Sequence, residues 1–191
     1  MAVFEGDVLA DARAIMARYP QEHVRSAVMP LLYLAQSVDG MLTAEALREI
    51  GALLGITTAE VQAVASFYSM YRLRPTGAHV VGVCTNLACK LRGAEAVYVA
   101  ARQAAGLAHG EEVSGDGLFT VHEEECLGVC EHAPGVQVDL CNHDDVTPER
   151  IRELVGRLRD GEVPEPARGT AFGSFRAASR ALAGLEAVPG A

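Results

Sequence analysis

Four of the five cysteines in this chain of 191 residues form two short pairs, and no other sequence feature constrains the fold as strongly. Four residues separate Cys84 from Cys89, three separate Cys126 from Cys130, and 36 separate the two pairs. If the pairs lie on two loops of one fold, four thiols can converge. Thiolate ligands select iron–sulfur clusters or zinc, and the spacing alone does not decide between these.

Composition and charge exclude several classes of partner. The formal net charge is -9, and Lys90 is the only lysine, so a broad nucleic-acid footprint is not expected. No apolar run approaches the roughly 20 residues that cross a bilayer, so we expect no direct membrane insertion. The N-terminus has early acidic residues instead of a basic segment before an apolar stretch, unlike a secretory signal. We therefore expect a cytoplasmic chain, whose paired cysteines bind metal or react more often than they form disulfides.

The first 73 residues predict a helical N-terminal domain. Their apolar residues recur with helical spacing, and Thr, Gly and Pro punctuate the pattern at helix ends. Four helices are predicted, over residues 6–18, over 23–38 with a kink at Pro30, from Thr43 to Gly55, and from Thr57 or Thr58 onward.

A linker over residues 74–77 separates this domain from a second one over residues 78–160, where the periodicity changes. The pattern there predicts the order β-α-β-β-α, which gives a small α/β domain. The strands are predicted over 79–83, 118–122 and 136–140, and the helices over 92–105 and from Thr147 onward. We expect residues 161–191, which open with Pro, Gly and Glu, to form a flexible tail. The alternative is a segment that docks on the surface of a partner.

Each cysteine pair falls where predicted strands end or begin. Cys84 follows the first strand and Cys89 lies in the loop before the next helix, whereas Cys126 follows the second strand and Cys130 precedes the third. If these strands are neighbours, both loops meet at one edge of the sheet. Gly128 suits a tight loop whose N–H groups turn toward sulfur, and such hydrogen bonds raise a cluster's reduction potential.

Several segments carry a family resemblance. They are CTNLACKLRGAEAV (84–97), VHEEECLGVCEHAPGVQV (121–138) and TPERI (147–151), with AVMPLLYLAQ (27–36) and VASFYSMY (64–71) before them. Over about residues 10–160 the chain resembles the E subunit, the 24-kilodalton type, of bacterial NADH–quinone oxidoreductase (respiratory complex I), which belongs to the thioredoxin-like [2Fe–2S] ferredoxins.

The resemblance implies an α+β fold in which an N-terminal helical bundle precedes a thioredoxin-like ferredoxin domain. It implies one [2Fe–2S] cluster with Cys84, Cys89, Cys126 and Cys130 as ligands. The cluster would exchange single electrons with the FMN of a partner subunit that oxidises NADH, in the peripheral arm on the cytoplasmic side of the inner membrane. The chain itself would have no catalytic residues and would bind neither FMN nor NADH. The absence of a glycine-rich phosphate fingerprint agrees.

The chain departs from the family pattern in three places. Gly135 stands where an apolar, often β-branched residue is usual, and DLCNHDD (139–145) replaces the usual turn. The Phe-containing tail is not a general family feature. We expect Cys141, which has no partner at ligand spacing, to be a free thiol outside the metal centre.

Three alternatives remain at this point. The chain could serve the equivalent diaphorase module of an NAD-linked hydrogenase or formate dehydrogenase, or it could be a zinc-held scaffold. Residues 46–68 also imitate a helix-turn-helix, which would suit an iron–sulfur or zinc regulator. The helix that would read DNA contains Glu60 and neither Lys nor Arg, which argues against this alternative.

Overall fold

The computed structural model describes residues 2–186. These residues form two compact units, one of residues 2–75 together with residues 176–186, the other of Thr76–Phe175. The first is helical and the second combines helices with a mixed sheet, so the α+β fold class predicted from the sequence is confirmed.

Four helices make up the N-terminal part of the first unit. They are α1 (Gly6–Met16), α2 (Val28–Asp39), α3 (Ala44–Leu54) and α4 (Thr58–Phe67), with a 3₁₀ turn over Gln21–Ala27. As predicted, the Thr43 side chain caps α3 by accepting the Ala46 N–H at 3.1 Å, and Gly55 ends that helix with a left-handed φ of +67°.

The predicted kink at Pro30 is wrong. Helix α2 begins at Val28, so Pro30 lies in its first turn. The first N–H groups of a helix have no intrahelical acceptor, and a proline there removes no hydrogen bond. The residues before Val28 form the 3₁₀ turn instead of extending the helix.

Helices α3 and α4 differ from a DNA-reading pair at the decisive position. The Thr57 hydroxyl accepts the Glu60 N–H at 3.2 Å, and the Glu60 carboxylate accepts the Thr57 N–H at 2.9 Å. This capping box puts a carboxylate at the N-terminus of α4, where a recognition helix approaches phosphates. Within the described chain no single helix is long and apolar enough to span a membrane, although α3 and α4 together, bent by 119°, reach that length and composition.

The second unit is built on a four-stranded sheet in the order β2-β1-β3-β4. Strand β1 runs parallel to β2 and antiparallel to β3, and β3 runs antiparallel to β4. The strands are β1 (His79–Cys84), β2 (Phe119–Glu124), β3 (Val136–Val138) and β4 (Cys141–His143), and the helices are α5 (Leu87–Leu91), α6 (Ala94–Ala105) and α7 (Pro148–Arg159). Val81 and Val83 share one buried core with Val97 of α6 and Val155 of α7.

Strand β4 was not predicted, because the turn between β3 and β4 lacks the glycine that usually marks such a turn in a sequence. Asp139 and Leu140 both have positive φ, +48° and +66°, and they end β3 two residues before the predicted limit. The Asp139 carboxylate accepts the Val80 N–H at 2.8 Å and lies 2.7 Å from Nδ1 of His79. These contacts bind the turn to the start of β1 and hold Asp139 in a conformation that aspartate tolerates better than most residues.

A helix, α8 (Phe175–Leu182), lies inside the segment for which the sequence predicted a flexible tail. Ala177, Ala178 and Ser179 are buried, and Nε2 of the fully buried Gln36 in α2 donates to the Ser179 hydroxyl at 3.1 Å. Arg18 donates to the carbonyl of Gly184 just past the helix end, at 3.0 Å. The small buried residues let this helix pack closely, a contact that the Pro-, Gly- and Glu-containing start of the segment does not suggest.

Candidate metal centre

Two of the four paired cysteines are buried side by side. Cys84 ends β1 and is 3% exposed, and Cys89 is 2% exposed. Cys89 was predicted to lie in a loop, but it belongs to α5, which begins where the Asn86 side chain accepts the Leu87 N–H at 2.6 Å. Both thiols pack in one small cluster with Ala94 and Ala133. We call Cys84 and Cys89 the buried pair.

The other two cysteines lie on the loop that follows β2. Because β1 and β2 are parallel and Cys84 is in register with Glu124, the two strands end at the same edge of the sheet. Cys126 follows two residues later, and Cys130 opens a 3₁₀ turn at the end of the loop. Both are exposed. We call Cys126 and Cys130 the exposed pair.

Two of the other paired thiols lie close enough to the Cys89 thiol to affect it. Burial raises the pKa of the Cys89 thiol above its ordinary value, an N–H from Gly135 opposes this, and the nearby Cys84 and Cys130 raise it further. Within the described chain Cys126 is not among the groups that shift Cys89. Cys84 and Cys130 therefore lie near Cys89, and Cys126 lies close to Cys130 along the chain; the convergence of all four at one metal centre stays a prediction.

Gly135 is a site residue whose role the sequence did not reveal. Its N–H points at the Cys89 sulfur, and its carbonyl accepts the Cys84 N–H at 3.1 Å. A Cβ at this position would lie 2.3 Å from Cγ2 of Val129. Glycine thus allows the start of β3 to pass close to residues 125–130, which we call the cysteine loop, and this explains the departure from the family pattern.

The cysteine loop also covers part of the buried pair. The Cys84 thiol lies 3.7 Å from the carbonyl oxygen of Glu125, and Leu127 packs against the cluster that contains both buried thiols. Gly128 has a φ of +70°, as expected for the tight turn predicted there.

Acidic side chains surround this edge of the sheet. Glu123 and Glu125 are exposed, whereas the Glu124 carboxylate lies 2.9 Å from Nε2 of His122 on the same strand. A Cβ at Gly82 would lie 2.7 Å from the Glu124 side chain, so glycine in β1 makes room for this pair. Negative charge here would lower the reduction potential of a nearby metal centre.

Cys141 lies apart from the four paired cysteines. It starts β4, in register with Val138 on β3, and its thiol is 3.5 Å from the carbonyl of Thr170. Burial, with Asp139 adding to it, raises the pKa of this thiol. That Cys141 is a free thiol outside the metal centre stays a prediction.

The residue types at this edge suit an iron–sulfur cluster, because four cysteine thiolates are the ligand set of a [2Fe–2S] cluster. The Cys89 sulfur beside Cys84 also accepts an N–H, from Gly135, and hydrogen bonds of this kind tune the sulfurs of such clusters. Within residues 2–186 no three His, Cys, Asp or Glu side chains are gathered closely enough to hold a metal ion. The four cysteines fit such a cluster by their chemistry, and which of them bind it stays a prediction.

Comparison with known proteins identifies the relatives of this chain. The family model of the thioredoxin-like [2Fe-2S] ferredoxins matches residues 12–159. The E subunit of the Mycobacterium tuberculosis NADH-quinone oxidoreductase is 46% identical over 183 residues, which cover 94% of this chain and 71% of that protein. Subunit 2 of the Thermus thermophilus NADH-quinone oxidoreductase is 44% identical over 147 residues, which cover 76% of this chain and 81% of that protein.

A solved structure supports the fold. An NAD⁺-reducing [NiFe]-hydrogenase in its H₂-reduced state superposes with a TM-score of 0.60 at 21% identity over 72% of this chain. The chain spans 22% of the length of that hydrogenase chain. At this identity the likeness concerns the fold alone.

Proposed function

Because this chain belongs to the thioredoxin-like [2Fe–2S] ferredoxin family, we propose that it is an electron-transfer subunit of an NADH–quinone oxidoreductase. It holds one [2Fe–2S] cluster on Cys84, Cys89, Cys126 and Cys130. The observation that carries this proposal is the meeting of the buried pair and the cysteine loop at one edge of the sheet.

The side chains around the site have distinct tasks. Bound on these cysteines, a [2Fe–2S] cluster would supply one-electron redox chemistry. The Gly135 N–H directed at Cys89 stabilises the negative charge that reduction adds to sulfur, which raises the potential. The exposed carboxylates of Glu123 and Glu125 act in the opposite direction, and salt screens them because they face solvent.

The partner supplies the remaining chemistry. FMN and NADH bind to a larger neighbouring subunit, and this chain exchanges single electrons with that flavin. The chain works in the peripheral arm of the complex, on the cytoplasmic side of the inner membrane. The support is the naming of the relatives as subunits of NADH-quinone oxidoreductase.

Metal analysis tests the cofactor. The protein purified without oxygen should contain about two irons and two sulfides per chain and give a one-electron paramagnetic signal when reduced. Cys126→Ser should lose most of the iron, whereas the matched control Cys141→Ser should keep it. A colourless, folded protein with stoichiometric zinc would contradict the cofactor, and retention of iron by Cys126→Ser would contradict the ligand set.

Co-purification tests the partner. A tagged chain expressed in its native host should capture an FMN-containing protein that oxidises NADH, whereas the chain alone should not oxidise NADH. Capture of quinone-reductase subunits supports the proposal. Capture of hydrogenase or formate dehydrogenase subunits instead would assign the chain to the alternative diaphorase module.

A further inference from the structure

The four cysteines differ sharply in how a reagent from solution can reach them. Those of the buried pair are 3% and 2% exposed, whereas both members of the exposed pair face solvent. A buried thiol reacts with a bulky reagent only when the structure opens locally, and an exposed thiol reacts without such opening. An incoming metal centre therefore meets two kinds of ligand.

The same loop that presents the exposed pair also shields the buried pair. The Glu125 carbonyl lies against the Cys84 thiol at 3.7 Å, and Leu127 packs on the cluster of buried residues around both buried thiols. Cys126 lies between these two residues in the chain. Movement of this loop is thus required for full access to Cys84, and Cys126 moves with it.

We propose that the exposed pair captures the [2Fe–2S] cluster from a donor that holds it on accessible thiolates, and that the buried pair binds it second. This inference rests on the proposed function, because it presupposes that the four cysteines are the cluster ligands. The exposed pair takes one iron while the donor still holds the other. Displacement of the loop then lets Cys84 and Cys89 replace the remaining donor thiolates.

Each step is a thiol exchange without a change of oxidation state. An iron–sulfur bond to Cys126 or Cys130 forms as the bond from the same iron to a donor thiolate breaks. The proton of the cysteine thiol passes to the departing donor thiolate, which leaves as a thiol. The same exchange follows at Cys84 and Cys89, so four donor thiols are released for each cluster received.

Transfer from a glutathione-ligated [2Fe–2S] complex tests the order in the full chain. The double variant Cys84→Ser/Cys89→Ser should still capture the cluster and give a mass for the chain plus one cluster and two glutathiones. Cys126→Ser/Cys130→Ser should form this species at least about tenfold more slowly, because access to the buried pair requires local opening. Cys141→Ser should behave as the wild type. Capture by the second double variant but not by the first would overturn the order.

A measurement on the wild-type chain covers the case in which a buried serine prevents folding. A short anaerobic pulse of iodoacetamide should alkylate the exposed pair at least about tenfold faster than the buried pair. The pulse-labelled chain should then fail to capture the cluster from the glutathione complex. Equal labelling of all four cysteines, or capture by the labelled chain, would overturn the inference.

The two proposals fail in different ways. If the wild-type chain takes up no cluster from the glutathione complex or from ferrous iron and sulfide, the proposed function is wrong. If the wild type assembles the cluster but the exposed pair is not needed for capture, only the order of binding is wrong.

Discussion

The substitution Gly135→Ala tests how closely the start of β3 passes Val129 of the cysteine loop. The new Cβ would lie 2.3 Å from Cγ2 of Val129, whereas carbon atoms in favourable contact lie about 3.5–4 Å apart. Val129 is 4% exposed, and its branched side chain has few rotamers with which to move away. Overpacking of this kind costs about 1–3 kcal/mol. The displaced residue lies on the cysteine loop, so the exposed pair should shift with it.

A double-mutant cycle isolates the clash. Val129→Ala removes Cγ2 and should by itself cost about 1–2 kcal/mol in lost burial and cavity formation. In the double variant Gly135→Ala/Val129→Ala the added methyl occupies space that the valine has left. The two costs should therefore not add, and we expect a favourable coupling of about 1–2 kcal/mol.

The free energy of unfolding in urea, followed by far-ultraviolet circular dichroism on the cluster-free chain, measures these effects. The time for which the loaded protein keeps its cluster gives a second readout of the loop. Gly156→Ala is the matched control, because Gly156 is exposed in α7 and a Cβ there meets no described atom within 4 Å. It should stabilise the protein by about 0.5–1 kcal/mol. Equal effects at Gly135 and Gly156, or strict additivity with Val129→Ala, would refute the reasoning.

Three further outcomes are expected. The Gln36 side chain is fully buried, and Gln36→Leu removes its hydrogen bonds to Met70, Arg72 and Ser179. The free energy of unfolding in urea should fall by about 2–4 kcal/mol. A fall of less than about 0.5 kcal/mol would contradict this role. Burial lowers the pKa of His143, so below about pH 6.5 this histidine binds a proton more readily in the unfolded chain than in the folded one. The free energy of unfolding should therefore fall as the pH drops below that value, and His143→Leu should make this fall smaller. The pKa of Asp116 should be about 2, chiefly because the Ser114 hydroxyl donates to its carboxylate. In carbon NMR titrations this pKa should rise more in Ser114→Ala than in Arg159→Ala.

Much of the fold follows from local sequence signals. Thr43 and Gly55 bound α3 as expected, because caps and stops act within a few residues. Thr147 and Pro148 likewise open α7, with the Thr147 hydroxyl accepting the Arg150 N–H at 3.2 Å. Such features can be predicted from one sequence because the residues that interact are neighbours in it.

The features that were missed depend on partners distant in the chain or on short elements. Helix α5 has five residues, too few to show a periodicity, although Asn86 offered a capping signal. The turn before β4 places Leu140 at positive φ, which composition does not suggest. The role of Gly135 arises from its closeness to Val129 and the buried pair, and a tertiary contact of this kind has no signature in a single sequence. The cysteine spacing indicated which residues could bind metal, but not which of them solvent can reach.

Helix α8 has a consequence for the order of events during synthesis. It belongs to the same compact unit as Met1–Pro75, although the whole of Thr76–Phe175 is translated between them. At ribosomal rates of about 5–20 residues per second, roughly 5–20 s pass between the synthesis of α4 and that of α8. During that interval Gln36 of α2 lacks its hydrogen-bond partner Ser179. The part of the protein made first is therefore completed last.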